Sequence, residues 1–418
     1  MILRHPHGDG PATPPLWDIF CHVIDNWGDL GVCWRLARQL AKQGQRVRLW
    51  VDDASALAWM APAALQPQDQ GQHGGYLLGQ GELAGLRVYP WPRQQPDTPA
   101  PAVEPGDVLI EAFGCHIEPH WVQALQPEGR AGQVWLNLEY LSAEPWVERC
   151  HGLPSPVLSG PLAGRCKWFY YPGFTPGSGG LLRETARSAA PAPLPTPETY
   201  ETSDPATSDL QILLFCYQAP ALPALLADPA LAQAHWLLTA GRAQAAWHSH
   251  SLANQPANPA QTNETTEAAN PATNPPHSVR APKTTLLPLL AQTEFDALLR
   301  TCHLNFVRGE DSLVSALWAG QPLLWQLYPQ HDGAHHAKLE AFLDWLVAPP
   351  CLRQWHRAWN GVPSDAALPP LTTQRLQAWR HCIQTARQRL LQQADLVSQL
   401  LDFVGSIENK KVPHPGRS

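Results

Sequence analysis

Short apolar runs alternate with amphipathic stretches along most of this chain, and the alternation predicts two α/β units. WDIFCHVI (17–24) is apolar and rich in β-formers. VCWRLARQLAKQG follows, with Val32, Leu36, Leu40 and the Trp34 ring spaced to bury one side of a helix, and RVRLWVDD returns to strand character. Gly44 stands where a helix C-terminal cap belongs. A parallel βαβ unit is the simplest reading, because the helix supplies the crossover that parallel strands need. DVLIEAFG (107–114) and VWLNLEY (134–140) repeat the theme, so residues 16–171 form a first doubly wound domain behind a disordered tail at 1–15.

The pattern lapses at 172–209, where Gly, Pro, Ala and Thr dominate, and this stretch is expected to be an interdomain linker. Strand-like runs resume at LQILLFCY, HWLLTAG, TTLLPLL and LNFVRG between helical stretches, giving a second α/β domain over 210–372. An Asn, Pro, Thr and Ala tract within 243–283 predicts a disordered surface insertion. A single long helix is expected at 373–405, crossing back between the domains, with a tail at 406–418.

Composition narrows the function. With 44% hydrophobic and 16% charged residues the chain has material for two cores. A formal charge of −7 offers no footprint for a nucleic-acid backbone. Nine cysteines without a C-x-x-C pair predict reduced thiols and a cytoplasmic protein. The absence of a long apolar run predicts neither export nor a membrane partner. Most of the 18 tryptophans fall within apolar runs and are expected in the cores.

Two acidic loops carry the candidate chemistry. DNWGD (25–29) lies between the first strand and first helix, where a dinucleotide enzyme would have G-x-G-x-x-G. Asp25 and Asp29 there would repel a pyrophosphate, so the loop suits a proton or a cation, with Asp29 or Asp25 as a general base beside it. The alternative is that both only cap the helix. RGEDS (308–312) reads as a strand, a tight turn at Gly309 and a helix led by Asp311 or Ser312. Arg308, the Ser312 hydroxyl and the helix N-terminus would form an anion site for a nucleotide diphosphate, with Glu310 and Asp311 turned to sugar hydroxyls. The bland alternative is a surface ion pair between Arg308 and Glu310. His331, His335 and His336 approach a metal-ligand spacing but lack a zincin glutamate, so no metal is expected.

WDIFCHVIDNWGDLGVCWRLARQLA, DVLIEAFGC, WLNLEYLSAEPWVE, YPGFTPGSGGLLRE and FVRGEDSLVSALWAGQPLLWQLYPQ together resemble the bacterial protein-arginine rhamnosyltransferases that modify elongation factor P. The resemblance implies a GT-B fold of two Rossmann-like domains facing across a cleft. It also implies an inverting transferase that moves rhamnose from dTDP-β-L-rhamnose to one arginine of elongation factor P, without a cofactor. By the same resemblance the family's aspartates map to Asp25 and Asp29. Glu310 is implicated in catalysis, and Arg308, Asp311 and Ser312 in nucleotide binding. Phe215, Tyr217, Gln292 and Phe295 would hold the thymine base. Leu289 stands where the family commonly has phenylalanine. A guanidinium acceptor fits the acidic first loop, since its pKa above about 12 requires proton removal during attack. Two other readings remain: a GT-B transferase using another nucleotide sugar and a small-molecule acceptor, and a noncatalytic module that binds elongation factor P.

Overall fold

A computed structural model describes residues 13–24, 27–62, 65–68, 76–92, 99, 103–125, 133–184, 210–219, 221–253, 282–330, 333–363 and 367–411. Nine strands build the first sheet: β1 (Leu16–Cys21), β2 (Arg46–Val51), β3 (Leu65–Gln68), β4 (Tyr76–Gly79), β5 (Leu86–Pro90), β6 (Val108–Ala112), β7 (Val134–Leu138), β8 (Pro154–Pro156) and β9 (Cys166–Tyr170). They lie in the order β3-β4-β5-β2-β1-β6-β7-β9-β8. The central six run parallel, and the outer β3, β4 and β8 pair antiparallel. The second sheet contains β10 (Gln211–Leu214), β11 (His235–Leu238), β12 (Lys283–Leu286), β13 (Leu304–Arg308) and β14 (Leu323–Gln326), all parallel, in the order β12-β11-β10-β13-β14. Strands buried on both faces explain the continuous apolar runs in the sequence. Together the sheets give the GT-B arrangement expected from the sequence.

The strand order reverses between β1 and β6 in one sheet and between β10 and β13 in the other. Open α/β sheets bind ligands beyond the carboxyl ends of strands at such switch points. The DNWGD loop follows β1, and the RGEDS turn follows β13. The topology therefore places each acidic loop at its sheet's natural site.

Three expectations about the connections are corrected. The single helix at 373–405 is two helices, Thr373–Leu391 and Leu396–Lys411. Asp395 starts the second by accepting the N–H groups of Val397 and Ser398 at 3.1 Å. The first packs Trp379, Ile383, Ala386 and Leu390 into the core of the second domain; the next packs Leu396, Val397, Leu400, Val404 and Ile407 into that of the first. Each fully buried aliphatic side chain of this kind contributes about 1.5–3 kcal/mol. The return to the first domain thus needs the break, because one straight helix cannot turn its apolar face from one core to the other. It extends to Lys411, six residues into the expected tail.

The expected linker at 172–209 begins as packed structure. Gly173 bridges to Ser142, Phe174 packs against Phe342 and Trp345, and Leu181 and Leu182 are buried. Its glycines serve close approach instead of mobility: a Cβ on Gly179 would lie 2.4 Å from the Tyr170 ring. Residues 185–209 lie outside the described residues. The expected insertion at 243–283 likewise starts within the helix Arg242–Ala253, where Ala243 and Trp247 anchor to the core. Only 254–281 of it falls outside the described residues. Compositional bias in both tracts masked the apolar anchors at their ends.

Candidate active site

A cleft enclosing about 800 Å³, partly open to solvent, lies where helix Gly28–Lys42 of the first domain meets helices Gln292–Thr301 and Gly309–Ala319 of the second. Its second-domain wall carries the residues expected to hold the base. Phe215 follows β10 and meets Phe295 edge-to-face at 5.3 Å between ring centres, and Tyr217 stands two residues on. Leu289 is 46% exposed and lines the same wall. Gln292 crosses the cleft: its Nε2 donates to the Gly31 carbonyl at 3.1 Å and to Asp311 at 3.2 Å. Its Oε1 is buried in the cleft wall with no hydrogen-bond partner.

The RGEDS turn is built differently from the expected one. Gly309 has φ +65°, a conformation that favours glycine, and the helix begins there, ahead of Asp311 and Ser312. Arg308 is its N-cap. Ser312 holds the turn shut, its hydroxyl accepting the Arg308 N–H at 3.1 Å and donating to the Arg308 carbonyl. The Arg308 guanidinium donates to the Cys216 carbonyl at 2.9 Å and lies 4.4 Å from the Phe215 ring centre and 4.8 Å from that of Tyr217. Stacking on two rings preorganises a fixed cation in the cleft.

Glu310 pairs not with Arg308 but with Lys338, at 2.7 Å, and its other oxygen accepts the Leu141 N–H of the first domain at 2.8 Å. Burial pushes the Glu310 carboxyl above the usual range, Lys338 and the Leu141 N–H oppose this, and Asp29 adds to the rise. Asp311 faces Arg35 of the first domain at 2.7 Å. Asp29 sits in the first turn of its helix, 4% exposed, with Oδ2 accepting the Ile24 N–H at 3.0 Å. Asp29 is not among the residues lining the cleft, but it is close enough to Glu310 for their charges to interact. Asp25 lies outside the described residues.

Residues 17–405 match the family described as elongation-factor P (EF-P) rhamnosyltransferase, EarP. The chain belongs to that family. It is 37% identical to the protein-arginine rhamnosyltransferase of Pseudomonas aeruginosa over 401 residues, covering 93% of this chain and 98% of the relative. It is 38% identical to that of Pseudomonas putida over 407 residues, with the same shares covered. A solved structure concerned with EarP-mediated arginine glycosylation of translation elongation factor EF-P superposes with a TM-score of 0.52 at 25% identity. That match spans 94% of this chain and 99% of the other.

As an EarP-family enzyme, the chain contributes cleft residues that sequence reasoning assigned elsewhere. Trp27 and Trp59 form an edge-to-face pair at 5.0 Å and line the cleft from the first domain, with Met60 beside them. The tryptophans at 17, 34, 50, 91, 121 and 135 are core residues as expected. Trp27 had a signal, its place inside DNWGD; Trp59 had none, because only the fold brings it there. Arg35 was also missed, since a basic residue on an amphipathic helix reads as solvent-facing. Of the histidines, His335 accepts the Gln330 N–H at 3.2 Å and meets the His336 ring at a 54° tilt, 4.1 Å between ring centres, while His331 lies outside the described residues. Among the described residues no cluster of His, Cys, Asp and Glu has metal-binding geometry, and no helix is long and apolar enough to cross a membrane.

Proposed function

We propose that this chain moves L-rhamnose from dTDP-β-L-rhamnose to an arginine side chain of elongation factor P, inverting the anomeric carbon. The observation that carries the reading is the family match over residues 17–405, supported by a cleft lined by Trp27 and Gly28 from the first loop and by residues 308–312 from the second. The cleft wall supports a pyrimidine donor. Phe215 and Phe295 offer ring faces and edges, and the partnerless Gln292 Oε1 suits the N3–H of thymine. The diphosphate would gain its charge compensation from Arg308 and the N-terminus of helix Gly309–Ala319. Ser312 then acts on the donor through the shape of the turn it holds, and Asp311 through Gln292, whose Nε2 donates to it at 3.2 Å. No metal ion enters this scheme, because the two carboxylates of the turn already face Lys338 and Arg35.

In the transfer itself, the bond from the anomeric carbon to the phosphate oxygen breaks as a guanidinium nitrogen attacks from the opposite face. That nitrogen loses its delocalised lone pair to the new bond, becomes acidic, and passes its proton to Asp29. Asp25 and Glu310 would hold the guanidinium charge. None of the nine cysteines forms a disulfide, which supports a cytoplasmic site of action. Intact mass of elongation factor P incubated with this chain and dTDP-rhamnose tests the proposal. A gain of one deoxyhexose supports it; an unchanged mass, or equal gains from UDP- or GDP-sugars, removes it.

A further inference from the structure

We infer that Arg35 is a positioning residue: a buried guanidinium clamp that fixes the acceptor-side helix carrying Asp29 against the donor loop carrying Glu310. The inference rests on the reading of Asp29 and Glu310 as partners in transfer. Arg35 projects from helix Gly28–Lys42 with its side chain 1% exposed. Its fork donates to both oxygens of Asp296 at 2.9 Å, on helix Gln292–Thr301 of the second domain. Nη1 also donates to Glu184 at 2.9 Å, and Nη2 to the Ser315 hydroxyl at 3.4 Å. Arg38, one turn on, donates to the same Glu184 at 3.0 Å. Four segments of the chain thus meet on one guanidinium.

The Arg35 Nε lies 2.7 Å from Asp311 Oδ1, but its N–H is not aligned with that oxygen, so the contact is a charge pair and not a hydrogen bond. Burial alone would pull the Arg35 guanidinium down, yet Asp311, Asp296 and Glu184 hold it raised. A buried ionic cluster is a poor route to stability, because desolvating the charges offsets much of their attraction, whereas a rigid fork defines geometry. Asp29 lies six residues before Arg35, about 9 Å along the helix axis. Asp311 follows Glu310 directly. Clamping Arg35 to Asp296 and Asp311 therefore sets the separation of Asp29 from Glu310. Without the positive charge, Asp296, Asp311 and Glu184 would repel one another across the domain interface.

Arg35→Met keeps volume and removes the charge; Asp296→Asn keeps volume and removes the other half of the fork. Each is measured for dTDP affinity, for kcat and KM with elongation factor P, and for amide exchange at Leu141, whose N–H bonds Glu310 across the cleft. The expected result for both is kcat lower by about a hundredfold and faster exchange at Leu141, with β1 and β13 still protected. The dTDP dissociation constant should stay within about threefold. Arg35→Lys, which keeps the charge without the fork, should recover little of the lost kcat. Unchanged kcat and Leu141 exchange in either folded variant overturns the inference. So does a loss of dTDP affinity as large as the loss of kcat, which would make Arg35 a direct donor contact. Should Arg35→Met not fold, Asp296→Asn decides alone. The exchange readout needs no sugar transfer, so a wild-type chain inactive with dTDP-rhamnose would sink the proposed function and leave the clamp still decidable.

Discussion

Glu310, on the RGEDS turn of the second domain, accepts the backbone N–H of Leu141, in the first domain, at 2.8 Å, while its other oxygen pairs with Lys338 at 2.7 Å. One carboxylate thereby reports on both domains. Burial raises its pKa above 4.5, with Lys338 acting in the opposite sense. If transfer needs ionised Glu310, activity rises as pH climbs through that raised value, so the acid limb of kcat/KM lies above the ordinary glutamate range. Lys338→Met removes the lowering charge and should move the limb to higher pH. A limb that stays in place, or moves down, would show that ionised Glu310 is not required.

Gly31 tests the closeness of the domains. A Cβ there would meet Asp311 Oδ2 and Gln292 Nε2 at 3.3 Å each. Gly31→Ala asks those side chains to give by a few tenths of an ångström and should cost little. Gly31→Val adds two methyl groups in the same gap and should lower transfer by about a hundredfold, with both domains folded. Wild-type kcat in Gly31→Val would mean that the enzyme works with these helices further apart.

The proposed base platform can be measured without acceptor. Phe215→Ala removes a ring that packs on both Phe295 and Arg308. dTDP binding by calorimetry should weaken about ten- to a hundredfold, the range for loss of base stacking. Arg308→Ala should also weaken dTDP, and an unchanged dissociation constant in both variants would move the nucleotide elsewhere.

His356 makes stability depend on pH away from the cleft. It is fully buried, with Nδ1 bonded to the Leu352 carbonyl at 3.0 Å, and burial pulls its pKa from 6.5 to about 4. The unfolded chain takes up this proton first, so the contribution of His356 is complete above pH 6.5 and is lost as pH falls towards 4. About 2 kcal/mol should be gone by pH 5. Urea unfolding at pH 7 and pH 5 should show the loss, and His356→Leu should shrink it by about that amount; an equal slope in the variant would assign the acid sensitivity to other groups.

The hydrophobic pattern by itself located the parallel cores of the two sheets, since strands buried on both faces are mostly apolar, as in β1, β6, β10 and β13, where only Asp18, Glu111, Gln211, Asn305 and Arg308 interrupt the runs. It also located the two acidic loops, because loops between such strands and the following helices are short and conspicuous. Only the tertiary structure decided what those loops touch. Glu310 reaches Leu141, Gln292 reaches Gly31, and Arg35 reaches Asp296, across separations of 169, 261 and 261 residues. Trp59 joins Trp27 in the cleft by the same means. Local periodicity records whether a side chain is buried; which partner it meets is set by the docking of two domains, to which distant segments contribute together.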